Sequence, residues 1–461
     1  MSGCCFPDGR LAKRFGKLLA MISGQVGETI PAACQDWANT KAAYRFLSND
    51  RVSETEILGG HFQATADRIA LTTGPLLILH DTSEFSYERS GLSDLGLIGL
   101  ASTGMDKQGR PRHHTVRGIL MHSSLVVSSD GLPLGLAAIK FWNRKRFTGC
   151  NALKGKINAT RVDIEKKESY RWLENLRQST VLAGRPADCV HIGDRESDIY
   201  ELFCVAQEVG TSFLVRTCVD RLSGDGSCTV SDQMETVPSK GTYRIEGRSK
   251  EGKPFEAVLD IQWQKLRVLP PIGKQRNYPA LDLTVIHATE LGEPEGRKRI
   301  QWKLLTNLPV ESFASVVEKL RWYAMRWKIE TFHKILKSGC QAQASKLRTS
   351  ERLVNWLAIL CIVGWRVFWM TMVRRTDGDK PAEVAFTPTE MYLLDKLVKG
   401  PRNTPDQSKT LSGALMILAQ LGGYLARASD PPPGNLVIWR GLSRLTDIQI
   451  GFAIGAKAVD G

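Results

Sequence analysis

Two short apolar runs, each closing on an aspartate, constrain the fold of this chain most strongly. The first is PLLILHD, which ends at Asp81, and the second is CVHIGD, which ends at Asp194. Short and nearly continuous apolar runs are typical of strands buried on both faces, and each acid then stands at the carboxyl end of its strand. Between them lie a helical segment and two apolar runs around Asp130–Gly131 that predict a β-hairpin, and further upstream the pair Ser53 and Glu56 predicts a helix capping box. The sequence therefore predicts an α/β fold with a mixed sheet.

The pattern changes along the chain in a way that predicts three regions. Residues 1–55 are predicted to form a small helical domain and residues 56–350 an α/β domain. Between about 221 and 301, short alternating runs predict an all-β insertion within that domain. Residues 351–461 are predicted to be helical again. The N-terminal helices carry basic side chains that suit a DNA-reading module and equally suit ordinary solvated helix faces: Arg10, Lys13, Arg14, Lys41 and Arg45.

Net charge indicates the class of partner, and cysteine spacing indicates whether a zinc site is expected. The 461 residues carry a formal net charge of +14, which favours a polyanionic partner such as nucleic acid, although a membrane surface would also attract it. The ten cysteines form no CxxC pair, so a zinc site is not expected. The N-terminus carries no secretory signal pattern, and a reducing cytoplasm is the expected compartment.

One apolar segment, residues 353–373, is long enough to span a bilayer. Asn355 lies near its start and Arg366 lies well inside it, and a central arginine is costly in lipid. We therefore interpret the segment as a buried interior helix. A membrane-attached protein is the less favoured alternative.

The segment RWYAMRWKIETFHKILKSG, residues 321–339, carries two kinds of face if it forms a single helix. At about 100° per residue, one face collects four polar side chains: Tyr323, Arg326, Glu330 and Lys337. The opposite face collects apolar side chains that predict burial: Trp322, Met325, Ile329, Phe332 and Leu336. A polar stripe of this kind is commonly only a solvated surface.

Three acids give that polar stripe a chemical interpretation. Asp81 and Asp194 are predicted at strand ends, and Glu330 on a helix that follows the sheet. A mixed sheet with a helix packed on it can bring such side chains together. Three carboxylates without histidines favour Mg²⁺ or Mn²⁺, and a pair of these ions promotes phosphoryl transfer. The residues alone leave a nuclease and a transposase open.

Several blocks carry a resemblance to a known family. HDTSEFSY, GDRESDIYE and the spacing Y-x2-R-x3-E-x6-K resemble the signature blocks of bacterial cut-and-paste DDE transposases. The group that this chain is most similar to is the insertion-sequence-four family with its YREK signature, which includes the transposase of the composite transposon numbered five. The blocks KAAYRFLSN, KESYRWL and LLTNLPVESF, and a stretch near the C-terminus, extend the resemblance along most of the chain.

The resemblance implies a role for each matched residue. Asp81, Asp194 and Glu330 would be the catalytic and metal-binding triad of a ribonuclease-H-like domain, with two Mg²⁺ or Mn²⁺ ions as cofactors. Further residues would contact the end of the transposon, with Trp302 stacking on a base flipped out of the duplex: Tyr323, Arg326, Lys337, Trp302, Arg216 and Arg195.

The resemblance also implies an activity and its partners. The enzyme would nick the transposon end, close and open a DNA hairpin, and join the end to target DNA. Its partners would be double-stranded DNA and a second copy of the chain, with residues 1–55 binding the DNA end and residues 351–461 forming the dimer. A structure-selective nuclease and a non-enzymatic DNA-binding repressor are the alternatives, and the intact triad argues against the repressor.

Overall fold

The computed structural model of this protein describes residues 6–87, 95–105, 111–144, 162–248, 254–376, 380–397 and 407–459. Within these segments the fold is mixed α/β, with a twelve-stranded sheet and helical regions toward both ends of the chain. The predicted fold class is therefore confirmed, and the sheet is consistent with a ribonuclease-H-like core.

Four helices make up the N-terminal region: α1 (Gly9–Gly24), α2 (Ile30–Cys34), α3 (Trp37–Leu47) and α4 (Glu54–Ala70). Before each helix a side chain accepts a hydrogen bond from a first-turn backbone N–H, which has no partner within the helix itself. At α4 this arrangement is the predicted capping box of Ser53 and Glu56.

The next four strands form one side of the sheet: β1 (Leu76–Tyr87), β2 (Leu97–Met105), β3 (Pro111–Ser128) and β4 (Pro133–Trp142). Strand β3 pairs antiparallel with each of the other three. The predicted hairpin around Asp130 and Gly131 joins β3 to β4. Gly131 has a φ of 90°, in the left-handed region that favours glycine.

Two parallel strands extend the sheet from the other side of β1. They are β5 (Cys189–Gly193) and β6 (Ser212–Arg216), and helices α5 (Tyr170–Ala183) and α6 (Tyr200–Glu208) precede them in the chain. The order β4-β3-β1-β5-β6 places β1 where antiparallel pairing changes to parallel pairing. The carboxyl ends of β1, β5 and β6 therefore point toward the same edge of the sheet.

Beyond β6 the predicted insertion continues the same sheet. Strand β12 (Gln301–Thr306) pairs with β6, and then β11 (Leu281–Glu290) and β10 (Pro254–Val268) follow. The insertion is β-rich but contains one short helix. Its remaining elements are β7 (Leu222–Ser223), β8 (Cys228–Thr229), α7 (Val230–Glu235) and β9 (Thr242–Arg248).

Helices follow the sheet: α8 (Phe313–Ala324), α9 (Trp327–Lys334), α10 (Ser350–Thr376), α11 (Pro388–Leu397), α12 (Leu411–Leu421) and α13 (Asn435–Val459). Helix α9 packs against β1, and α10 packs against β4 and α4. The predicted helical character of the C-terminal region is thus observed in its described part, whereas the exact boundaries of the three regions stay a prediction.

Apolar side chains cover both faces of the central strands. Leu77 and Leu79 of β1 belong to the large core cluster that also contains side chains of α9 and α10. Leu76 and Ile78 point the other way and pack with Ala183 of α5. Because successive strand residues alternate between faces, this two-sided burial explains why the PLLILHD run is apolar without interruption.

Helix α10 contains the apolar segment that could have been a membrane span. By length and hydropathy, Ser350–Val373 would qualify as a span, but 78% of its most apolar window is buried inside the protein. Asn355 donates hydrogen bonds to the backbone carbonyls of Leu47 and Val52, at 3.3 and 3.0 Å. Arg366 lies 3.7 Å from Glu390. Both polar side chains that argued against a membrane span thus have polar partners within the fold.

Candidate active site

Asp81 and Asp194 lie on neighbouring parallel strands. The pairing of β1 with β5 ends at Leu79 and Ile192, and extending that register by two residues places Asp81 beside Asp194. Asp194 follows β5 directly, as predicted, and its carboxylate accepts a hydrogen bond of 2.9 Å from the backbone N–H of Glu196. This hydrogen bond turns the chain away from the sheet and leaves Asp81 next to the end of β5.

The prediction that Asp81 ends its strand is wrong. Strand β1 continues to Tyr87, because its partner β3 is long enough to pair with it beyond the end of β5. Asp81 faces Ser123 of β3 across this antiparallel pair. Asp81 therefore lies within β1 at the position where pairing with β5 has ended and β3 is the strand neighbour that continues.

The segment 321–339 is also different from the predicted single helix. Helix α8 ends at Ala324 and α9 begins at Trp327. Between them the backbone tightens into three-residue turns, with Arg326 N–H bonded to the Tyr323 carbonyl at 3.0 Å and Ile329 N–H to the Arg326 carbonyl at 3.2 Å. A short π-helix, Ile335–Gly339, then widens the last turn. Both changes rotate the polar side chains relative to one another.

One consequence is that Tyr323 does not share the exposed polar face predicted for it. Its residue is only 4% exposed and belongs to the main core cluster. Burial raises the pKa of its hydroxyl, an effect that Arg326 and Arg216 oppose. The predicted core face is confirmed for most of its members, since Trp322, Ile329, Phe332 and Leu336 are buried.

Glu330 projects from α9 and pairs with an arginine of the same segment. Its carboxylate lies 2.5 Å from the Arg326 guanidinium, and the Glu330 side chain is about half exposed. Burial alone would lower the pKa of the Arg326 guanidinium, but the charges of Glu330, Tyr323 and Asp81 outweigh it and raise that pKa. Arg326 is thus near two of the three predicted acids.

Lys337 brings a second cation to the same edge of the sheet. It lies in the π-helix and is partly buried, with its ammonium 5.8 Å from the centre of the Phe85 ring. Burial lowers the pKa of this ammonium, and Glu84 and Asp81 oppose the shift. The structure therefore brings Asp81, which is distant in the sequence, close to the segment that carries Arg326, Glu330 and Lys337.

His333 is a site residue that the sequence did not indicate. It lies on α9, three residues after Glu330, with its ring buried. Nδ1 is 3.4 Å from Oδ2 of Asp81, and Nε2 is 2.8 Å from Oγ of Ser123. The spacing E-x2-H in a helix was the available signal, because residues three apart share a face.

A large groove is lined by Arg326, the partner of Glu330, although none of the three acids is among its lining residues. It has a volume of about 1480 Å³ and runs between the β9–β10 hairpin and the end of α8. Its lining combines aromatic rings with arginines, including Tyr243, Trp302, Trp327, Arg216, Arg244, Arg321 and Arg326. Flat rings and guanidinium groups are what a groove for unpaired bases and phosphates requires. Trp327, which is 42% exposed, is a further residue that the sequence did not single out.

Three of the predicted DNA contacts have distinct positions around this groove. Trp302 in β12 is partly buried, and its ring meets that of Tyr323 edge-on at 5.3 Å. Arg216 donates a hydrogen bond of 2.7 Å to the carbonyl of Gln301. Arg195 lies outside the lining residues, exposed in the turn that follows Asp194.

The N-terminal helices present a second cationic surface. Helix α1 exposes a row of basic side chains along a pocket of about 330 Å³, formed with α3: Arg10, Lys13, Arg14 and Lys17. The outer face of α3 adds alternating aromatic and basic side chains at helical spacing: Trp37, Lys41, Tyr44 and Arg45. Trp37 is 76% exposed, which is unusual for a side chain of its size.

The donor groups of the site suit a hard divalent cation. Carboxylate oxygens are the preferred ligands of Mg²⁺ and Mn²⁺, and Asp81 and Asp194 supply them from adjacent strands. In the described segments no three His, Cys, Asp or Glu side chains are grouped closely enough to hold a metal ion. The two aspartates carry donor atoms of the type that such an ion takes, whereas the Glu330 carboxylate is paired with Arg326 in this structure.

Comparison with known families gives a match at the N-terminus. Residues 1–52 match the sequence model of the family described as Transposase DNA-binding. The matched segment contains α1, α2 and α3, and hence both rows of exposed basic side chains. The match supports a transposase with DNA as its partner.

Proposed function

We propose that this protein is a DDE transposase of the insertion-sequence-four family with the YREK signature, similar to the transposase of the composite transposon numbered five. The main support for the proposal is the parallel pairing of β1 with β5, whose register, extended by two residues, brings Asp81 and Asp194 to neighbouring positions near the helix that bears Glu330. Two carboxylates next to phosphate-binding cations are the groups that metal-dependent DNA cleavage needs.

The reaction consists of successive phosphoryl transfers at one site. Water breaks one strand at the transposon end, and the freed 3′-hydroxyl attacks the opposite strand to close a hairpin. A second water opens the hairpin, and the 3′-hydroxyl then attacks a phosphodiester of the target DNA. When bound, two Mg²⁺ or Mn²⁺ ions would activate the attacking hydroxyl and stabilise the leaving oxygen.

The protein's own side chains hold the DNA for these steps. Arg326 and Lys337 bind phosphate oxygens next to the acids, the first as a fixed fork and the second as a point charge. Arg216, Arg195 and the hydroxyl of Tyr323 provide further polar contacts along the strand. Support comes from the position of Arg216, Tyr323 and Arg326 on the lining of one groove.

Trp302 gives the site its capacity for distorted DNA. A hairpinned end forces a base out of the duplex, and an aromatic plane offsets the lost stacking by about 1–3 kcal/mol. The groove that contains Trp302 is open and large enough for a nucleotide.

Recognition of the transposon end is assigned to the N-terminal helices. In this proposal α3 presents Trp37, Lys41 and Arg45 to the bases, and the basic row of α1 contacts the backbone phosphates. Catalysis takes place in a synapse of two chains and two DNA ends in the bacterial cytoplasm. Exposed apolar side chains of α11 and α13 support a dimer through the C-terminal region: Tyr392, Phe452 and Ile454.

The test is DNA cleavage by purified protein. The substrate is DNA that carries the inverted repeats flanking the coding sequence, incubated with Mg²⁺. We expect double-strand breaks at the repeats, with hairpinned ends on denaturing gels, and no cleavage by Asp194→Ala. Asp188→Ala, at the opposite end of β5, is the matched control and should cleave normally.

Two outcomes would contradict the proposal. Unchanged cleavage by Asp194→Ala would show that the acids do not form the active site. Double-strand breaks without hairpinned ends would identify a nuclease instead, provided that the protein also fails to open a pre-formed DNA hairpin of the same end sequence.

A further inference from the structure

His333 occupies a position that joins the three elements of the site. Its ring comes from α9 and lies over a cross-strand pair, because Asp81 of β1 and Ser123 of β3 face each other directly. Nδ1 is 3.4 Å from the Asp81 carboxylate and Nε2 is 2.8 Å from the Ser123 hydroxyl. One ring thus spans both strands, and its residue is only 5% exposed.

The contacts of the ring exclude a role as metal ligand in this arrangement. Both nitrogens already face a partner, and a ligand needs one nitrogen with a free lone pair. With the Ser123 hydroxyl donating to Nε2, the ring faces Oδ2 of Asp81 with its Nδ1–H. The ring holds one carboxylate oxygen and leaves the other for a different partner.

A fixed carboxylate matters at this site because Asp81 lies where β1 loses one of its two neighbours. Past the end of β5, the strand pairs with β3 alone. The contact with the buried His333 ring, 3.4 Å from the carboxylate, restricts rotation of the Asp81 side chain, which would otherwise lose rotational freedom whenever it bound a cation. The same contact fixes the distance between α9, which carries Glu330, and β1.

We propose that His333 is a positioning residue of the active site: it orients the Asp81 carboxylate toward the bound cation and keeps Glu330 within reach of it. The inference rests on the proposed function, since it concerns the same acids. Hydrogen bonds from the surroundings of a metal site to its ligands typically change metal affinity or activity by about 10–100-fold.

Two substitutions of His333 test the contacts of its two ring nitrogens separately. In His333→Asn the side-chain amide can donate from near the Nδ1 position, whereas in His333→Gln it reaches only the Nε2 position and Ser123. We expect His333→Gln to raise the Mg²⁺ concentration for half-maximal cleavage by about 10–100-fold. His333→Asn should stay within a few-fold of the unsubstituted protein. His287→Gln, on β11 outside the site, is the matched control.

A readout besides activity is Mn²⁺ binding to the protein in complex with pre-cleaved end DNA, measured by isothermal titration calorimetry. The dissociation constant for Mn²⁺ should rise with His333→Gln and change little with His333→Asn, while affinity for the DNA in EDTA stays the same for both. Thermal unfolding of both variants should be recorded, because a purely structural ring would lower stability in both without separating their Mn²⁺ affinities.

The outcomes distinguish this inference from the proposed function. If Asp194→Ala abolishes cleavage but His333→Gln and His333→Asn bind Mn²⁺ equally well, His333 has no positioning role and the proposed function stands. If Asp194→Ala cleaves normally, the proposed function itself has failed, whatever the His333 variants do.

Discussion

Arg326 shows how a single side chain can serve two anionic partners at the active site. Its side chain is 21% exposed, and its guanidinium lies 2.5 Å from the Glu330 carboxylate. In the proposed mechanism the same guanidinium binds a phosphate, and Glu330 is then free to approach the aspartates. Because the guanidinium is planar, it can hold two oxygens at once, which an ammonium cannot do.

The first prediction follows from this geometry. Arg326→Lys keeps the charge but loses the bidentate contact, so we expect the single-turnover rate of end cleavage to fall at least about tenfold, equivalent to ~1.4 kcal/mol. Affinity for the end DNA should change far less, because most phosphate contacts remain.

Arg177→Lys provides the control, since Arg177 pairs with Glu208 on the surface of α5 and α6. It should cleave at the normal rate. If Arg326→Lys cleaves as fast as the Arg177→Lys control, the bidentate guanidinium of Arg326 does not contact the reacting phosphate.

At the scale of elements, a buried amide adds polar contacts to the apolar packing of α10 against the N-terminal region. Asn355 is 1% exposed and donates to the carbonyls of Leu47 and Val52, at the end of α3 and in the loop after it. Such carbonyls have no helical partner of their own at the end of a helix. The amide therefore satisfies acceptors that would otherwise be buried without a donor.

We expect Asn355→Leu to lower the free energy of unfolding by about 2–3 kcal/mol, because two buried carbonyls lose their donor. Urea denaturation followed by circular dichroism measures this change. Thr371→Val is the control on the same helix, since its hydroxyl bonds only to the Val367 carbonyl one turn before it. Equal stabilities for the two variants would mean that the amide contributes nothing to this contact.

At the level of single elements, the sequence predicted those structural features that depend only on neighbouring residues. The capping box at Ser53 and the glycine turn at Gly131 were predicted correctly because a few neighbouring residues form each of them. The continuation of β1 past Asp81 depends on the length of β3, a distant segment. The break between α8 and α9 contains neither glycine nor proline, so no residue in the sequence marks it.

The candidate site was predictable to a similar extent. Asp81, Asp194 and Glu330 stood out because predicted strand ends and a helix face carried them, and the structure does pack β1, β5 and α9 together, although Asp81 lies within its strand. The pairing of Glu330 with Arg326 depends on side-chain conformations that spacing does not define. The role of His333 was missed because its partner Ser123 comes from a strand 210 positions away.

At the scale of the whole molecule, buried histidines make stability depend on pH. His80 and His61 are buried, and burial lowers the pKa of each ring to about 3. Burial also lowers the pKa of His122 and His191 well below the usual value. His80 and His191 hydrogen-bond to each other at 2.8 Å between strands β1 and β5, so the neutral rings are part of the sheet's interior.

We expect the free energy of unfolding to fall as pH decreases below about 6.5. The unfolded chain takes up protons at His61 and His80 below pH 6.5, whereas in the folded protein these rings take them up only at about pH 3, so acid favours unfolding in that window. Each histidine contributes up to about 1.4 kcal/mol per pH unit. Urea titrations between pH 7 and pH 5 avoid most carboxylate titration, and His61→Gln should reduce the slope. A stability that is constant across this range would contradict the assignment of neutral rings.

The many contacts of α10 limit how the N-terminal helices of this protein can be exchanged during evolution. It touches α1, α3 and α4 near the beginning of the chain, β4 and α9 in the middle, and α12 and α13 near the end. A replacement of the amino-terminal helices by those of a relative would thus need compensating changes on α10 as well. New DNA-end preferences in this scaffold should arise more readily by exchange of single outward side chains on α3 than by transplantation of whole modules.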